Sequence, residues 1–225
     1  MQHIAFIMDG NRRWAKNNGL SVKEGHEAGL NKVSEVIKMA KKKDIKYFTI
    51  YTFSNENWNR SIEEVTDLMN MIEEYLDTKR DEFREQDIKV KVIGRKDKVR
   101  KSILEKIASL EEETKNCKSM QVNIAFNYGG KQEIIDIVKK IVNNKIAANN
   151  IDEKLFNSYL YYGSDVPEPD LIVRTSGEQR VSNFLLWEMA YSELYFTKTH
   201  WPDFNEELFD EILDNYNNRE RRHGK

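Results

Sequence analysis

Short apolar runs alternate along this chain with stretches whose apolar residues recur every three or four positions, and few folds accommodate that alternation. Runs of strand character occupy His3–Met8, Tyr47–Phe53, Ile88–Ile93 and Met120–Phe126, with shorter ones at Leu171–Arg174, Phe184–Trp187 and Leu194–Thr197. In the third run Ile88, Val90 and Val92 alternate with Lys89 and Lys91, as they should on a half-exposed strand. Leu30, Val33, Ile37 and Ala40 form one helical stripe. Val65, Leu68, Met69, Ile72 and Leu76 form a second, on a helix expected from Ser61 to about Gln86. Val99, Ile103, Ile107 and Leu110 make a third, and Ile134, Val138 and Ile141 a fourth. Strand–helix alternation predicts an α/β fold built on a largely parallel sheet. With 225 residues, three prolines and no Gly/Ser-rich linker, a single domain over residues 1–225 is expected.

In such a sheet ligands gather at the carboxyl ends of the strands. The polar clusters of this chain fall there: after Met8, after Phe53 and after Val173. In the first, "IAFIMDGNRRWAK" (residues 4–16), an apolar strand ends abruptly in Asp9, Gly10, Asn11, Arg12 and Arg13. Gly10 lets the backbone turn and approach a ligand, and a helix expected from about Arg12 offers unpaired N–H groups. Two arginines beside such a helix start describe an anion site, most naturally for phosphate. Asp9 would repel a phosphate unless a divalent cation joins them, and Mg²⁺ accepts one carboxylate and phosphate oxygens together. The plain alternative is an Asp–Gly turn with surface arginines, and this segment alone leaves both open. A phospho-aspartate phosphatase would need a carboxylate where Ile7 stands.

"FSNENWNR" (residues 53–60) adds amides, Glu56, Trp58 and Arg60 past the second strand. "RTSGEQRVSNFLLW" (residues 174–187) adds Arg174, Arg180 and Ser182 past another. Paired arginines with a hydroxyl suit a second phosphate group held bidentately. Any one cluster could be a polar loop, but three converging on one sheet edge favour an anionic ligand.

Together with "GHEAG", "NIAFNYGG", "SELYFT" and "WPDF", these motifs resemble the cis-prenyltransferases, specifically bacterial undecaprenyl diphosphate synthases, over nearly the whole chain and in the family's order. The resemblance implies a six-stranded, largely parallel sheet ringed by helices around an apolar tunnel, working as a homodimer. It implies Mg²⁺-dependent, repeated addition of isopentenyl diphosphate to farnesyl diphosphate, each new double bond cis, with undecaprenyl diphosphate as the expected product. A shorter-chain synthase and a non-catalytic partner subunit are the alternatives; Asp9, Arg13 and Asn57 speak against the inert subunit.

Carried over by position, Asp9 is the catalytic and metal carboxylate, and Asn57 the residue placed for proton removal. Gly10, Asn11, Arg12, Arg13 and His26 receive the allylic diphosphate. Trp14, Ser54, Asn55, Glu56, Trp58 and Arg60 match substrate-contacting positions. Arg174, Arg180, Val181 and Ser182 match the isopentenyl diphosphate site, Glu193 a second metal-linked carboxylate, and Arg222-His223-Gly224 a chain ending that completes a neighbouring subunit's site. Two positions depart from the family: Val22 stands where an arginine is usual, with Lys23 next to it, and Gln179 replaces a common histidine. Thr52 and Phe126 are expected to bear on product length.

Composition excludes other classes. Lys plus Arg total 36 and Asp plus Glu 38, a formal charge of −2, which is no electrostatic footprint for nucleic acid. Cys117 is the single cysteine, so no disulfide forms within the chain and a reducing compartment is expected. Four scattered histidines lack zinc-site spacing. No apolar run approaches the ~20 residues that span a bilayer. A soluble cytoplasmic protein is expected, with at most transient peripheral contact with the inner face of the membrane.

Overall fold

The computed structural model describes residues 1–220, so Arg222, His223 and Gly224 lie outside the described residues. Six strands, β1 (His3–Ile7), β2 (Tyr47–Ser54), β3 (Ile88–Ile93), β4 (Met120–Tyr128), β5 (Leu171–Arg174) and β6 (Glu193–Phe196), form one sheet in the order β3-β4-β2-β1-β5-β6. Every neighbouring pair is parallel. All five residues of β1 are buried, as a strand covered on both faces must be.

Side-chain alternation sends Ile4 and Phe6 to one core and Ala5 and Ile7 to another. The first core lies under α2 (Val22–Lys42), α3 (Ile62–Thr78), α5 (Lys101–Thr114) and α8 (Glu206–Asn217). The second lies under α6 (Gly130–Asn143) and α7 (Glu153–Ser158). One polar row crosses the sheet inside the protein: His3 Nε2 lies 2.7 Å from Thr49 Oγ1, which accepts from Asn123 Nδ2 at 3.0 Å. Burial lowers the His3 pKa to about 4, so it sits there neutral.

Three expectations change. The apolar run Phe184–Trp187 is not a strand. Its Phe184 and Leu185 are buried in a turn where Ser182, Asn183 and Leu185 all adopt positive φ, so their burial comes from packing rather than pairing. The long helix from Ser61 is two: α3 ends at Thr78 and α4 (Arg80–Glu85) follows after Lys79. On α6 the buried line is Gly130, Glu133, Ile137 and Ile141, whereas Val138 is 49% exposed.

Candidate active site

Strands β1 and β5 are neighbours, yet β1 leads the chain toward β2 and β5 leads it toward β6. Their carboxyl ends therefore frame the crevice at which ligands of such sheets bind. Asp9 follows β1 and Arg174 ends β5, and they meet across that crevice with Arg174 Nη2 donating to Asp9 Oδ2 at 2.9 Å. Arg13 Nη2 approaches the other carboxylate oxygen at 3.2 Å. Arg174 is buried; its Nη1 donates to Ser182 Oγ at 2.7 Å and to the Arg180 carbonyl at 2.5 Å, while its Nε has no partner.

The Asp9 turn is fastened from behind. Thr175 Oγ1 accepts from the Asp9 amide at 2.9 Å and donates to the Asp9 carbonyl at 2.7 Å. Gly10 takes φ 108°, where a Cβ would lie 2.6 Å from Ser176 Oγ and 2.7 Å from His200 Nδ1, so only glycine fits. From that turn starts α1 (Asn11–Asn17), whose first amides receive no side-chain cap and are left for a ligand. The "GHEAG" motif explains itself by close approach. A Cβ on Gly25 would lie 2.5 Å from the Asn11 carbonyl, and one on Gly29 2.5 Å from the Asn11 side chain. These glycines let α2 rest directly on the Asn11 turn.

A second carboxylate organises the opposite wall. Glu64, on the first turn of α3, accepts from Arg60 Nη1 at 2.9 Å and lies 3.2 Å from His26 Nε2 and 3.7 Å from Arg12. Burial alone would raise the Glu64 carboxyl, but Arg60, His26 and Arg12 outweigh it and hold it below the usual range. His26 is pushed down by burial, a shift that Glu64 opposes and Arg60 and Arg12 reinforce.

Between these walls lies a cavity of about 230 Å³ lined by Asp9, Asn11, His26, Ser54, Asn57, Arg60, Arg174 and Ser182, with Met8, Thr52 and Leu68 toward its floor. They come from the turn after β1 and the start of α1, from α2, from the end of β2 and the turn after it, and from the end of β5 and the loop beyond it, so the three expected clusters meet here and His26 of α2 joins them. The Asn11 Oδ1 atom is buried without a partner, a second orphan beside Arg174 Nε. Asn57 Oδ1 accepts the Ser54 amide at 3.0 Å, so its carbonyl already holds its own loop.

Other expected residues stand beside the cavity and not in its lining. Arg13 and Arg180 both pair with Glu178. Arg12 lines an adjoining recess with Val22, Lys23 and His26. Glu56 accepts from Asn183 Nδ2 at 2.8 Å and ties two loops together. Asn55 packs near Gly129, and its Oδ1 is buried and unpartnered. Trp58 donates to Asn127 Oδ1 at 2.8 Å, Trp14 donates to Asp203 at 2.6 Å, and Val181 packs on the second core. Lys23 Nζ lies 4.0 Å from Glu27, and Gln179 is exposed. Glu193 starts β6 opposite Leu171, at the far end of the strand from Arg174, and binds Arg219 at 2.7 Å. It therefore does not share a cation with Asp9 within one chain.

Thr175, Ser176, His200, Glu64 and Glu178 were not singled out from the sequence. Thr175, Ser176 and Glu178 stand inside "RTSGEQR" and His200 precedes "WPDF", so the signal lay within the motifs but the partners did not. Among the described residues no group of three His, Cys, Asp or Glu side chains is placed to hold a metal. The chemistry of the donors fits a hard divalent cation, which Asp9 would hold as a single carboxylate ligand.

The chain matches the family model described as putative undecaprenyl diphosphate synthase over residues 7–224. It is 47% identical to an isoprenyl transferase of Fusobacterium nucleatum, covering 99% of this chain and 95% of that protein. It is 41% identical to a farnesyl-diphosphate-specific ditrans,polycis-undecaprenyl-diphosphate synthase of Legionella pneumophila, over 100% and 95% of the two chains. Among solved structures it is similar to lavandulyl diphosphate synthase from Lavandula x intermedia in complex with dimethylallyl diphosphate. That match has a TM-score of 0.94 at 35% identity and covers 100% of this chain and 98% of that one. A probable undecaprenyl diphosphate synthase from Campylobacter jejuni superposes with a TM-score of 0.84 at 29% identity, over 100% and 99%. Sequence and fold thus agree from end to end, and the chain belongs to the undecaprenyl diphosphate synthase family, the cis-prenyltransferases.

Proposed function

We propose that this chain condenses isopentenyl diphosphate repeatedly onto an allylic diphosphate, farnesyl diphosphate first, to build a cis-polyprenyl diphosphate of the undecaprenyl class. The observation that carries the reading is Asp9 between Arg13 and Arg174 at the mouth of a cavity whose floor turns apolar. Anion-binding groups stand on both sides of that mouth, and two diphosphates need such a double cradle.

In this reading the allylic diphosphate meets Arg13, the Asn11 turn and the free amides of α1. Isopentenyl diphosphate meets Arg174, Arg180 and Ser182, replacing Glu178 as partner of the exposed Arg180. Holding both at fixed separation removes much of the entropic barrier to carbon–carbon bond formation. Charge builds on the departing diphosphate, and fixed guanidinium donors stabilise it most at that moment. Asp9 would hold Mg²⁺, which supplies additional electrostatic stabilisation of the leaving group. Asn57 is a poor base, having no usable pKa, and its carbonyl is engaged; it orients the reacting groups while a diphosphate oxygen takes the proton.

The growing hydrocarbon needs shelter. At ~0.8 kcal/mol per buried CH₂, each five-carbon unit gains roughly 3–4 kcal/mol of transfer energy, so product release is slow and a detergent or membrane surface speeds it. No helix among the described residues is long and apolar enough to cross a membrane. Pairing of two copies, and passing contact with a membrane surface, complete the reading.

Incubation with farnesyl diphosphate, radiolabelled isopentenyl diphosphate and Mg²⁺, followed by sizing of the lipid, tests it. A ladder ending near undecaprenyl is expected. Short products would revise the chain length, and an absence of labelled lipid would overturn the reading.

A further inference from the structure

The "NYGG" end of the "NIAFNYGG" motif contributes no residue to the cavity between the two walls, and its glycines serve a different contact. A Cβ on Gly129 would lie 2.7 Å from Asn183 Nδ2, and one on Gly130 would lie 2.8 Å from the Leu186 side chain. The turn after Ser182 therefore rests directly on the start of α6. That helix has no side-chain cap from its own N-terminal residues. Its first amide, Gly130 N–H, donates to the Asn183 carbonyl at 2.7 Å, and its second, Lys131 N–H, donates to Asn183 Oδ1 at 2.8 Å. Asn183 thus supplies, from 52 positions away, the acceptors that a local cap normally provides.

The same carboxamide reaches a third element. Asn183 Nδ2 donates to Glu56 Oε1 at 2.8 Å, and Glu56 stands between Asn55 and Asn57 on the turn after β2. The turn that Asn183 holds is conformationally costly. Ser182, Asn183 and Leu185 have φ of 48°, 66° and 43°, the left-handed region that residues with a Cβ seldom enter. Such a conformation persists only where its surroundings over-determine it. Here Phe184 stacks on Tyr51 with ring centroids 4.6 Å apart, and Asn183 makes its hydrogen bonds to α6 and to Glu56. What the turn achieves is the placement of Ser182, whose Oγ accepts from Arg174 Nη1 at 2.7 Å. Asn183 therefore joins the Arg174–Ser182 wall of the site to the turn that carries Asn57.

We propose that Asn183 is a positioning residue for the isopentenyl diphosphate side of the site: by bridging α6 and Glu56 it fixes Ser182 and Arg174 as a preformed cradle. The inference rests on the condensation reading above, and Asn183 acts through Ser182 and Arg174 rather than on a reacting atom. Chemistry singles out asparagine here. A carboxamide offers an acceptor to the helix amide and a donor to the carboxylate at once, on a backbone that tolerates positive φ. Aspartate keeps the acceptor but turns a like charge toward Glu56. Glycine keeps the backbone and supplies neither side-chain bond. Farnesyl diphosphate, proposed to meet Arg13 and the start of α1, draws on none of these contacts.

Steady-state elongation with each substrate varied in turn tests this in Asn183→Asp, Asn183→Gly, and Asn183→Asp combined with Glu56→Gln. Asn183→Asp is expected to raise KM for isopentenyl diphosphate roughly five- to tenfold and Asn183→Gly about threefold, while KM for farnesyl diphosphate moves less than about twofold. In the double variant the new amide donates to the new carboxylate. The hydrogen bond then returns with its polarity reversed, and most of the loss in Asn183→Asp should be regained. A KM for isopentenyl diphosphate that stays at the wild-type value in both single variants would overturn the proposal. So would an equal rise for both substrates, or a double variant no better than Asn183→Asp. Asn183→Gly relieves the positive φ, so it decides the matter alone if Asn183→Asp does not fold. Calorimetric titration of isopentenyl diphosphate alone, which requires no turnover, separates the proposal from the reaction. Binding that is tightest in wild type, weaker in the double variant and weakest in Asn183→Asp supports the positioning role even in a protein that makes no polyprenyl product; only the condensation reading then fails. Polyprenyl synthesis with isopentenyl diphosphate binding equal across the set leaves the reaction standing and sinks the role of Asn183.

Discussion

Asp9 and Glu64 at the strand-tip rim, and Glu133 on the buried face of α6 with Glu188 facing it, are four carboxyl groups held in opposite ways. At the rim each acid gathers arginines: Asp9 takes Arg13 and Arg174, and Glu64 takes Arg60 and Arg12 with His26. In the interior Glu133 and Glu188 are both buried and face each other. Glu133 accepts from Tyr128 Oη at 2.5 Å and from the Tyr161 amide at 2.8 Å, while neither oxygen of Glu188 has a hydrogen-bond donor. Burial first, and then the neighbouring Glu133, push Glu188 well above the ordinary carboxylate range. Burial and a facing acid thus favour the neutral form of Glu188, whereas the cations around Glu64 favour its charged form. In the proposed reaction, acids flanked by guanidinium groups hold those cations in place for an incoming diphosphate. Among the described residues the interior pair has no ion-pair partner, and it lies among buried side chains.

Arg174→Ala attacks the rim hardest and carries the largest expected effect. It removes the one group that joins Asp9 to Ser182 and to the Arg180 carbonyl, and leaves Asp9 with Arg13 alone. Loss of a preorganised charge at a site where charge develops costs about 10²–10³ in rate, so kcat/KM for isopentenyl diphosphate should fall by at least that factor. Arg174→Lys should recover little of it, since an ammonium cannot span three acceptors as the guanidinium fork does. An Arg174→Ala enzyme with near-normal incorporation of labelled isopentenyl diphosphate would show that the rim cations are merely structural.

How much of this contrast could be read in the sequence depends on the range of the interaction. Asp9, Arg13 and Arg174 were legible because an apolar run ending in charge is a local pattern, and the parallel sheet brings such endings to one edge. Thr175 clamping Asp9 was not legible, since the contact spans 166 positions and a threonine after an arginine carries no pattern of its own. Glu64 looked like any first-turn acid of an amphipathic helix. Glu188 directly follows the apolar run Phe184–Trp187, whose apolar character suggested a strand and hid a turn with positive φ. The same limit explains Val138: helical spacing marks an apolar face, but α6 turns its Glu133–Ile137–Ile141 line inward, with an acid where pattern alone would put a hydrocarbon.

Glu188→Gln sharpens the interior half of the comparison. A carboxyl whose folded pKa is raised stabilises the fold fully below its unfolded pKa, and that contribution is lost as pH rises toward and through the folded value. Wild type should therefore lose stability as pH climbs above about 4.5, the ordinary carboxylate value, on account of this group. Glutamine keeps a donor toward Glu133 without a proton to lose, so the variant should be more stable by about 1 kcal/mol or more at pH 8 and level with wild type at pH 4. Denaturant midpoints at the two pH values check this. Equal slopes of stability against pH in both proteins would mean that Glu188 is not the proton holder.

The smallest expected effect belongs to a rim cation that lacks the rim's architecture. Lys23 stands next to Val22, where relatives are expected to carry an arginine, and shares a recess with Arg12 and His26. Its side chain is 57% exposed and its nearest acid, Glu27, is 4.0 Å away, so no carboxylate fixes its direction. An exposed ion pair contributes at most about 1 kcal/mol, and salt screens it. Lys23→Ala should accordingly raise KM for farnesyl diphosphate by no more than about threefold at low salt, and the difference should fade as salt is added. A tenfold rise that persists in salt would mean that Lys23 grips the diphosphate as Arg13 is proposed to do. Charge at the mouth would then suffice for binding, and the contrast between cations fixed by a half-buried rim acid and an exposed cation such as Lys23 would lose its functional meaning.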